Sequence, residues 1–474
     1  MKVPSLFVFL IGGLLACTRL PPQTSELEIG LPESFSSSGE IALPSQWWEA
    51  FEDPVLDALV VRALSRNFSL LSAWDRLAQA EAVADRAGAA RFPSLELRAD
   101  AARSESRGPS GTLTTGQQTR SFKRFSMGLG AAYEVDLWGR IGSEREAAAY
   151  ALKASEEDLQ AAAISLSAQV ATTWYRLVEQ YGQLALLDRQ LKVNTQVSDL
   201  VALRFRHGRV RAADVLRQRQ LVESSRGEIT QAQSRAGVLE HQLAVLLGYP
   251  PATRVSARPT QLTPLPLLPD TGLPAEWIQR RPDIRRAEYQ LLAANEEVGV
   301  AVSKRFPRLS FSAQLNSSSE SMRNLFDNWL STLAANLVAP IVDGGSRRAE
   351  VRRTLAVLSQ GLNDYRQIVL NAMAEVENAL IQEENQRALI ASLEKQLVLS
   401  TEVLARTRDS YLQGAEDYLR ILDFLLTHQA IERNLLQSRR EALEFRIALH
   451  RALGGAWEMN RPPQARAFGT AFNE

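Results

Sequence analysis

The sequence has one cysteine, four histidines and no uninterrupted apolar segment of the about 20 residues that a membrane-crossing helix needs. With Cys17 alone, no disulfide can form within the chain. The histidines follow no metal-ligand spacing, and neither a phosphate-binding loop nor a nucleophile elbow occurs. A formal net charge of zero gives no electrostatic reason to expect nucleic acid. We therefore expect no enzyme, no metal, no cofactor and no nucleic-acid partner.

The first residues are typical of an export signal. Lys2 precedes an apolar stretch from Leu6 to Ala16 that is too short to cross a membrane as a helix. This stretch ends in LLAC at Cys17 and resembles bacterial lipoprotein signals, which implies removal of residues 1–16 and lipid on Cys17. Thr18 follows instead of aspartate, which favours the outer membrane. The alternative is an ordinary signal peptide with an incidental cysteine.

The rest of the chain contains two copies of one pattern. RFPSLEL at residues 91–97 returns as RFPRLSF at 305–311, and HQLAVLLG at 241–248 is matched by IALHRALG at 447–454. RFRHGRVRAADVL at 204–216 corresponds to SYLQGAEDYLRIL at 410–422. A duplication of this length predicts two copies of one structural unit.

Each copy contains a stretch of about 70 residues with few helix breakers, which predicts a helix of roughly 100 Å. These stretches run from Gly139 to Gly208 and from Gly345 to Gly414, and a shorter helix then returns to Gly248 or Gly454. A helix is also predicted before each strand region, at about 67–90 and 283–304. The long stretches carry a heptad repeat, which predicts a coiled coil. Its positions include Leu355, Leu362, Val369, Val376, Glu383, Ile390, Leu397, Leu404 and Tyr411 in the second copy, and Ala163, Val170, Leu177, Leu184, Leu191 and Phe205 in the first. The alternative interpretation of these helices is a soluble coiled-coil spacer.

Between the helices, apolar and polar residues alternate with period two. The pattern predicts strands at about 94–103, 122–137, 308–316 and 328–342, with polar loops at about 104–120 and 317–327. The strand lengths suit a membrane, but four strands cannot close a barrel, so copies of the chain must share one: three copies give twelve strands and two give eight. Glu134 and Asp136 beside Trp138 could imitate a catalytic carboxylate pair, but we expect them to face a polar lumen. The alternative for the strands is a small soluble β-domain.

These features together resemble the TolC/OprM outer-membrane factor family, in its NodT-type lipoprotein branch. The resemblance rests on QWWEAFEDPVLDALV at 46–60, both RFP strand starts, EVDLWGR at 134–140, the two tip segments and the two LG helix ends. It implies a membrane α+β fold: a trimeric twelve-stranded β-barrel, a long α-helical coiled-coil tunnel in the periplasm and a mixed equatorial region. The repeats are assigned to 64–248 and 277–454, and the equatorial parts to the lipid-anchored segment 17–63, the Pro-rich connector 249–276 and the tail 455–474.

The resemblance also implies a gate where the helices turn back. YLRILDFLL at 418–426 matches a family stretch of the form YLxLLDAQR, which places Leu419 and Asp423 at gate positions. Three copies of each would form an apolar collar and an anion-repelling ring. Leu426 stands where the family often has arginine, so an Asp–Arg tether is in doubt. The alternative is ordinary coiled-coil core for Leu419 and a solvated face for Asp423.

Docking of adaptor hairpins is implied at the two tips. The first tip is basic and the second acidic; the implied positions are Arg204, Arg206, Gly208, Arg209 and Arg211 in the first, and Gly414, Glu416 and Asp417 in the second. On chemistry alone the glycines end helices and the charges give solubility.

The expected function is a passive outer-membrane exit duct of a tripartite efflux pump. A homotrimer, lipid-anchored in the outer membrane and extending into the periplasm, would export drugs or other toxic small molecules. A periplasmic adaptor would connect it to an inner-membrane transporter of the RND class. The alternatives are a duct for type I protein secretion and a non-conducting structural lipoprotein of the envelope.

Replacing Cys17 tests the lipid anchor. We expect Cys17→Ser to abolish incorporation of radiolabelled palmitate, because the thiol that carries the lipid is lost. Thr18→Ser keeps the cysteine and should be labelled like the wild type. Labelling that persists in Cys17→Ser would show that the lipobox assignment is wrong.

Overall fold

A computed structural model describes residues 30–42, 44, 46–109, 117–253, 257–455, 457 and 459–461. Cys17 and the predicted signal segment lie outside the described residues. The chain divides into a sheet unit, Ala78–Ala154 with Ala287–Tyr365, and a helical unit that includes Ser155–Arg286 and the residues from Arg366 onward.

Helices make up most of the described chain. They are α1 (Pro54–Arg66), α2 (Phe68–Ala89), α3 (Arg140–Arg206), α4 (Ala212–Leu246), α5 (Pro274–Ile278), α6 (Pro282–Ser303), α7 (Ser346–Gln413) and α8 (Tyr418–Leu453), with short 3₁₀ turns at Trp47–Phe51 and Met322–Asn324. The two long helices have 67 and 68 residues, as the scarcity of breakers predicted. None of the helices in the described part of the chain is both long and apolar enough to cross a membrane.

The strands form one antiparallel sheet in the order β1-β2-β3-β4. They are β1 (Ser94–Pro109), β2 (Gln117–Val135), β3 (Arg308–Ser319) and β4 (Trp329–Val338). Leu129 of β2 pairs with Leu97 on one side and Leu315 on the other, so these three side chains share a face. The same face carries Leu95, Met127, Ala131, Phe311, Ala313, Leu333 and Leu337, and the other face carries Ser126, Gly128, Gly130, Ser310, Ser312, Gln314 and Asn316. The alternation read from the sequence is confirmed.

Aromatic side chains lie near both ends of the apolar face. Tyr133 pairs with Phe311 at one end, and Phe125 lies eight residues earlier on β2. At about 3.4 Å per residue this spacing is roughly 27 Å, close to the height of a lipid-facing band between aromatic girdles. Leu333, on the same face, is 82% exposed in the single chain. The face is therefore suited to contact lipid.

Several strand boundaries differ from the prediction. The residues predicted as a loop at 104–120 are mostly strand, because β1 and β2 remain paired as far as Pro109 and Gln117. A backbone ladder does not require an apolar face, so the loss of alternation did not mark the end of the strands. β4 ends at Val338, before the predicted end at 342, and Pro340 has no N–H to continue a ladder.

Glycines end the helices as predicted. At Gly208, with φ of 69°, the N–H of Gly208 donates to Phe205 O and that of Arg209 donates to Arg204 O. Gly414, with φ of 83°, repeats both bonds with Tyr411 O and Ser410 O. Both are Schellman turns, in which only glycine adopts the left-handed conformation without strain.

The coiled-coil prediction holds in the middle of each long helix. Val170 and Leu177 of α3 and Val369 and Val376 of α7 are fully buried. Phe205, near the end of α3, is 45% exposed, as is Leu355 of α7. The predicted seam is therefore only partly covered within a single chain.

A buried ion pair connects the Pro-rich connector to the long helices. Arg446 of α8, fully buried, donates to both carboxylate oxygens of Glu383 on α7 at 2.8 and 2.5 Å. Its guanidinium also donates to the carbonyls of Pro266, at 2.6 Å, and Leu267. Removing one partner of such a pair leaves an uncompensated buried charge, which costs about 3–5 kcal/mol. The connector is thus held against α8 in the helical unit at Pro266 and Leu267.

An aromatic cluster lies beside this ion pair. His450 stacks on Trp47 with ring centroids 5.6 Å apart, and Phe51 is 5.8 Å away. Both ring nitrogens of His450 are buried, and neither has a hydrogen-bond partner among the described residues. Burial, with the Arg446 charge nearby, lowers the pKa of His450 to about 3.

This histidine predicts an acid-sensitive helical unit. The pKa of His450 is lower in the folded chain than in the unfolded one. Its contribution to the free energy of unfolding is therefore fully present above about pH 6.5 and is lost as the pH falls toward 3. At pH 5 the loss is about 2 kcal/mol. We expect His450→Phe, which keeps the stacking, to melt at a higher temperature than the wild type at pH 5 and at a similar one at pH 7.5. Parallel pH profiles of thermal melting for the two proteins would contradict this.

Candidate functional site

The two helical turns at Gly208 and Gly414 pack together in the helical unit. Their shared apolar core consists of Val201, Val215, Tyr411, Tyr418 and Leu422, which come from all four helices that meet there. A cavity of about 1180 Å³ lies beside this core, lined by residues of both turns. The structure therefore brings the two predicted tip segments to one place, called here the tip.

Arg204 connects the tip helices to each other. Its guanidinium carbon lies 4.1 Å from the Tyr411 ring centroid, and its nitrogens donate to the carbonyls of Tyr411 and Leu412 at 3.1 and 3.3 Å. These carbonyls are in the last turn of α7, where a positive charge is favourable. Arg204 was predicted as a docking residue, but its guanidinium is engaged within the chain.

The other basic residues of the tip have fewer contacts. Among the described residues, the side chains of Arg206 and Arg209 make no ion pair or hydrogen bond. The backbone N–H of Arg211 donates to Asp214 Oδ2 at 3.0 Å, so this pair forms the start of α4. Arg206 and Arg209 remain available to a partner.

The acidic turn carries its aspartate and arginine in the opposite order along the chain, and a different bond results. Asp417, at the position equivalent to Arg211, accepts from the backbone N–H of Arg420 at 3.0 Å and so caps α8. Arg420 also donates to Glu416 at 2.7 Å. Both carboxylates at this turn are thus engaged locally, and Arg420 partly offsets the acidity that the sequence suggested.

The predicted gate residues lie on the exposed side of α8. Leu419 is 47% exposed and Leu426 is 41% exposed, and Asp423 between them is exposed too. The neighbouring side, with Tyr418, Leu422 and Leu425, is buried. Residues 419, 423 and 426 recur at helical spacing and form one exposed stripe. Leu419 is therefore not part of this chain's coiled-coil core.

Asp423 has no ion-pair partner among the described residues. Arg420, three residues earlier, pairs with Glu416 instead. With Leu426 where the family often has arginine, no Asp–Arg tether forms on this stripe within the chain.

A set of buried polar side chains behind the stripe was not predicted. We call it the amide ladder, and it consists of Gln190, Asn194, Gln218, Ser225, Tyr418 and Gln429, all of them at most 6% exposed. Tyr418 donates to Gln218 Oε1 at 2.5 Å, and Gln218 donates to the Asn194 carbonyl at 2.8 Å. Amides at isolated positions of long polar helices give no signal in the sequence.

The ladder continues away from the tip. Asn194 donates to Ser225 Oγ and accepts from Gln429 Nε2, each at 2.9 Å, and Gln190 donates to the Gln429 carbonyl at 3.2 Å. Burial raises the pKa of Tyr418 to about 12, so this hydroxyl keeps its proton as a donor over the physiological range. Three helices, α3, α4 and α8, are joined by these bonds.

The carboxylate pair considered from the sequence is structural. Asp136 accepts from the backbone N–H groups of Ile141 and Gly142 at 3.0 and 2.7 Å and caps the start of α3. Glu134 pairs with Arg140 at 2.8 Å. Across the described residues, no group of three or more His, Cys, Asp or Glu side chains could hold a metal ion.

Comparison with known proteins gives one consistent family. The Outer membrane efflux protein family matches residues 59–249 and 273–455, so both copies are covered. The pyoverdine export outer membrane protein OpmQ of Pseudomonas aeruginosa is 35% identical over 425 residues, which are 89% of this chain and 89% of that protein. Nodulation protein T of Rhizobium leguminosarum bv. trifolii is 28% identical, covering 96% and 97%.

Solved structures agree with the sequence matches. A structure of CusC superposes with a TM-score of 0.80 at 27% identity and covers 90% of this chain and 97% of that one. The outer-membrane channel OprN superposes with a TM-score of 0.80 at 28% identity, covering 91% and 98%. The chain therefore belongs to the Outer membrane efflux protein family and is an outer-membrane efflux channel that extends into the periplasm.

Proposed function

We propose that this chain forms the passive exit duct of a tripartite pump that exports small molecules. The observation that carries the proposal is the exposed stripe of Leu419, Asp423 and Leu426 at the tip. An aspartate with no ion-pair partner in the described part of its chain, between two half-exposed leucines, suits a constriction that several copies form around one axis.

The sheet supports a homotrimer. Within the described residues, β1 pairs only with β2 and β4 only with β3, so both edges of the sheet are open. In lipid each unpaired backbone group costs several kcal/mol, and three chains in a ring would pair every edge in a twelve-stranded barrel. We propose that Cys17 carries the lipid that anchors each chain to the outer membrane.

The names of the relatives favour small cargo. One is named for pyoverdine export, others for solvent or toluene efflux, and another for cation efflux. Such unlike cargoes on similar chains indicate that the transporter sets the specificity. We propose an inner-membrane transporter of the RND class, reached through a periplasmic adaptor, in preference to type I protein secretion. The neighbouring genes distinguish the two functions. An adaptor gene and an RND transporter gene would support small-molecule efflux, whereas an ABC exporter gene would support type I protein secretion.

The adaptor is proposed to dock at the tip. Arg206 and Arg209 present two charges that nothing else in the described chain engages, whereas Arg204, Glu416 and Asp417 hold the tip together. We therefore propose that the charged contacts to the adaptor come from the first turn, around Gly208. The turn at Gly414 contributes mainly its shape.

The gate predicts a conductance change. Removing Asp423 takes three negative charges from the constriction if the chain is a trimer. We expect Asp423→Ala to raise the closed-state conductance in planar bilayers, on the order of threefold, and to lower the preference for cations.

The control is Asp199→Ala, which removes an exposed carboxylate from α3 about two turns from the tip. It should leave both readouts near those of the wild type. Unchanged conductance and ion selectivity in Asp423→Ala would show that the gate assignment is wrong. A wild-type protein that inserts but never conducts would favour the structural lipoprotein instead.

Docking predicts a charge effect at the first turn. We expect Arg206→Glu/Arg209→Glu to weaken binding of the adaptor encoded beside this gene by about tenfold, because both charges are replaced by opposite ones. The measurement is biolayer interferometry with purified trimer. Arg189→Glu/Arg219→Glu makes the same charge change at exposed positions away from the turn and should bind normally. Equal affinity for all three proteins would mean that these arginines only provide solubility.

A further inference from the structure

A second cavity lies in the sheet unit, where the strands meet the helices. Its volume is about 1040 Å³, and it is bordered by the ends of β2, β3 and β4, by the end of α6 and by the start of α7. Five of its lining residues are cationic, Arg140, Lys304, Arg308, Arg347 and Arg353, and three are carboxylates, Glu134, Asp136 and Glu350. The lining is therefore net positive.

Each lining carboxylate is already engaged. Asp136 accepts from two backbone amides, and Glu134 pairs with Arg140 at 2.8 Å. Glu350 accepts from Arg353 at 2.9 and 2.8 Å. These bonds from Arg353 lower the pKa of Glu350, to which Lys304 also contributes, so it is ionised at neutral pH.

Two of the cations remain largely unpaired. Among the described residues the side-chain amine of Lys304 makes no ion pair or hydrogen bond, and the residue is exposed. Arg308 is 61% exposed and has one contact, at 3.8 Å to Glu134, which is longer than a hydrogen bond. Arg347 already pairs with Asp343 at 3.1 Å. Lys304 and Arg308 therefore carry the excess charge of the cavity.

The register of the sheet places the cavity on its polar side. Glu134 pairs with Ser310, and Arg308 pairs with Val338, so these four side chains share a face with Ser312 and Gln314. This is the face opposite the apolar one that suits lipid. In a sheet closed among copies of the chain, the polar face lines the lumen.

We propose that Lys304 and Arg308 form an anion-binding collar inside the duct, which binds carboxylate, sulfonate or phosphate groups of solutes as they leave. The collar rests on the proposed duct and trimer, because three chains bring six of these charges to one level. Charges of one sign that line an aqueous lumen raise the local concentration of counterions. The site thus favours anionic cargo where the strands meet the helices.

Binding of a soluble polyanion tests the collar without requiring conduction. We would titrate purified protein with pyrenetetrasulfonate, a fluorescent tetra-anion, and follow its anisotropy. We expect Lys304→Gln/Arg308→Gln to raise the dissociation constant by about tenfold and to reduce its dependence on salt.

A matched control uses the neighbouring residues. Arg305→Gln/Arg348→Gln removes two exposed cations per chain that do not line the cavity, so the dissociation constant should stay within about twofold of the wild type. An equal loss in both double variants, or no loss in either, would overturn the collar. If Lys304→Gln/Arg308→Gln does not assemble on size exclusion, the single variant Lys304→Gln is measured instead, and we expect it to lose part of the affinity for the dye. A dissociation constant of Lys304→Gln equal to that of the wild type would overturn the proposal.

Lipid headgroups carry the same chemistry as the soluble probe. In nanodiscs of phosphatidylcholine or phosphatidylglycerol, a lumenal collar should bind pyrenetetrasulfonate equally well. Loss of dye binding only in phosphatidylglycerol would assign the two cations to lipid and overturn the proposal. Planar-bilayer conductance of the same preparation tests the duct separately, so failure of the duct and failure of the collar can be distinguished.

Discussion

Backbone hydrogen bonding in the absence of water is the constraint on which the rest of the structure depends. As far as the chain is described, its sheet has four strands, an apolar face and two open edges, β1 and β4. Such a sheet cannot stand alone in hydrocarbon, where no water replaces the missing partners. Assembly with copies of the chain, a polar lumen and a passage for cargo all follow from satisfying these edges.

The sequence predicts the features of this structure that arise from local patterns better than those that depend on a partner strand. Period-two alternation placed Leu97, Leu129 and Leu315 on one face, and glycines marked the turns at Gly208 and Gly414. Both signals are local, because they arise from strand pleating and from the left-handed conformation. The extension of β1 to Pro109 depends on a partner strand, which alternation cannot show.

The candidate site was predicted less completely than the fold, because its contacts are between distant residues. Leu419 and Asp423 were placed by resemblance, and the structure adds that they are exposed. Arg204 was counted as a docking charge, yet it binds Tyr411, 207 residues away along the chain. In the sequence, Asn194 and Gln429 look like polar residues of a solvated helix surface. Their pairing arises only when α3 and α8 pack together.

The amide ladder has a consequence for how the tip can move. A coiled coil built from leucine and alanine allows its helices to slip by a whole heptad at little cost, because apolar contacts are interchangeable. Slippage of α8 along α3 would separate Asn194 from Gln429, and each stranded buried group costs about 1–3 kcal/mol. Axial sliding of α8 along α3 is therefore opposed in the helical unit. Because the ladder reaches Tyr418, the first residue of α8, its bonds hold that helix in register with its neighbours right up to the turn.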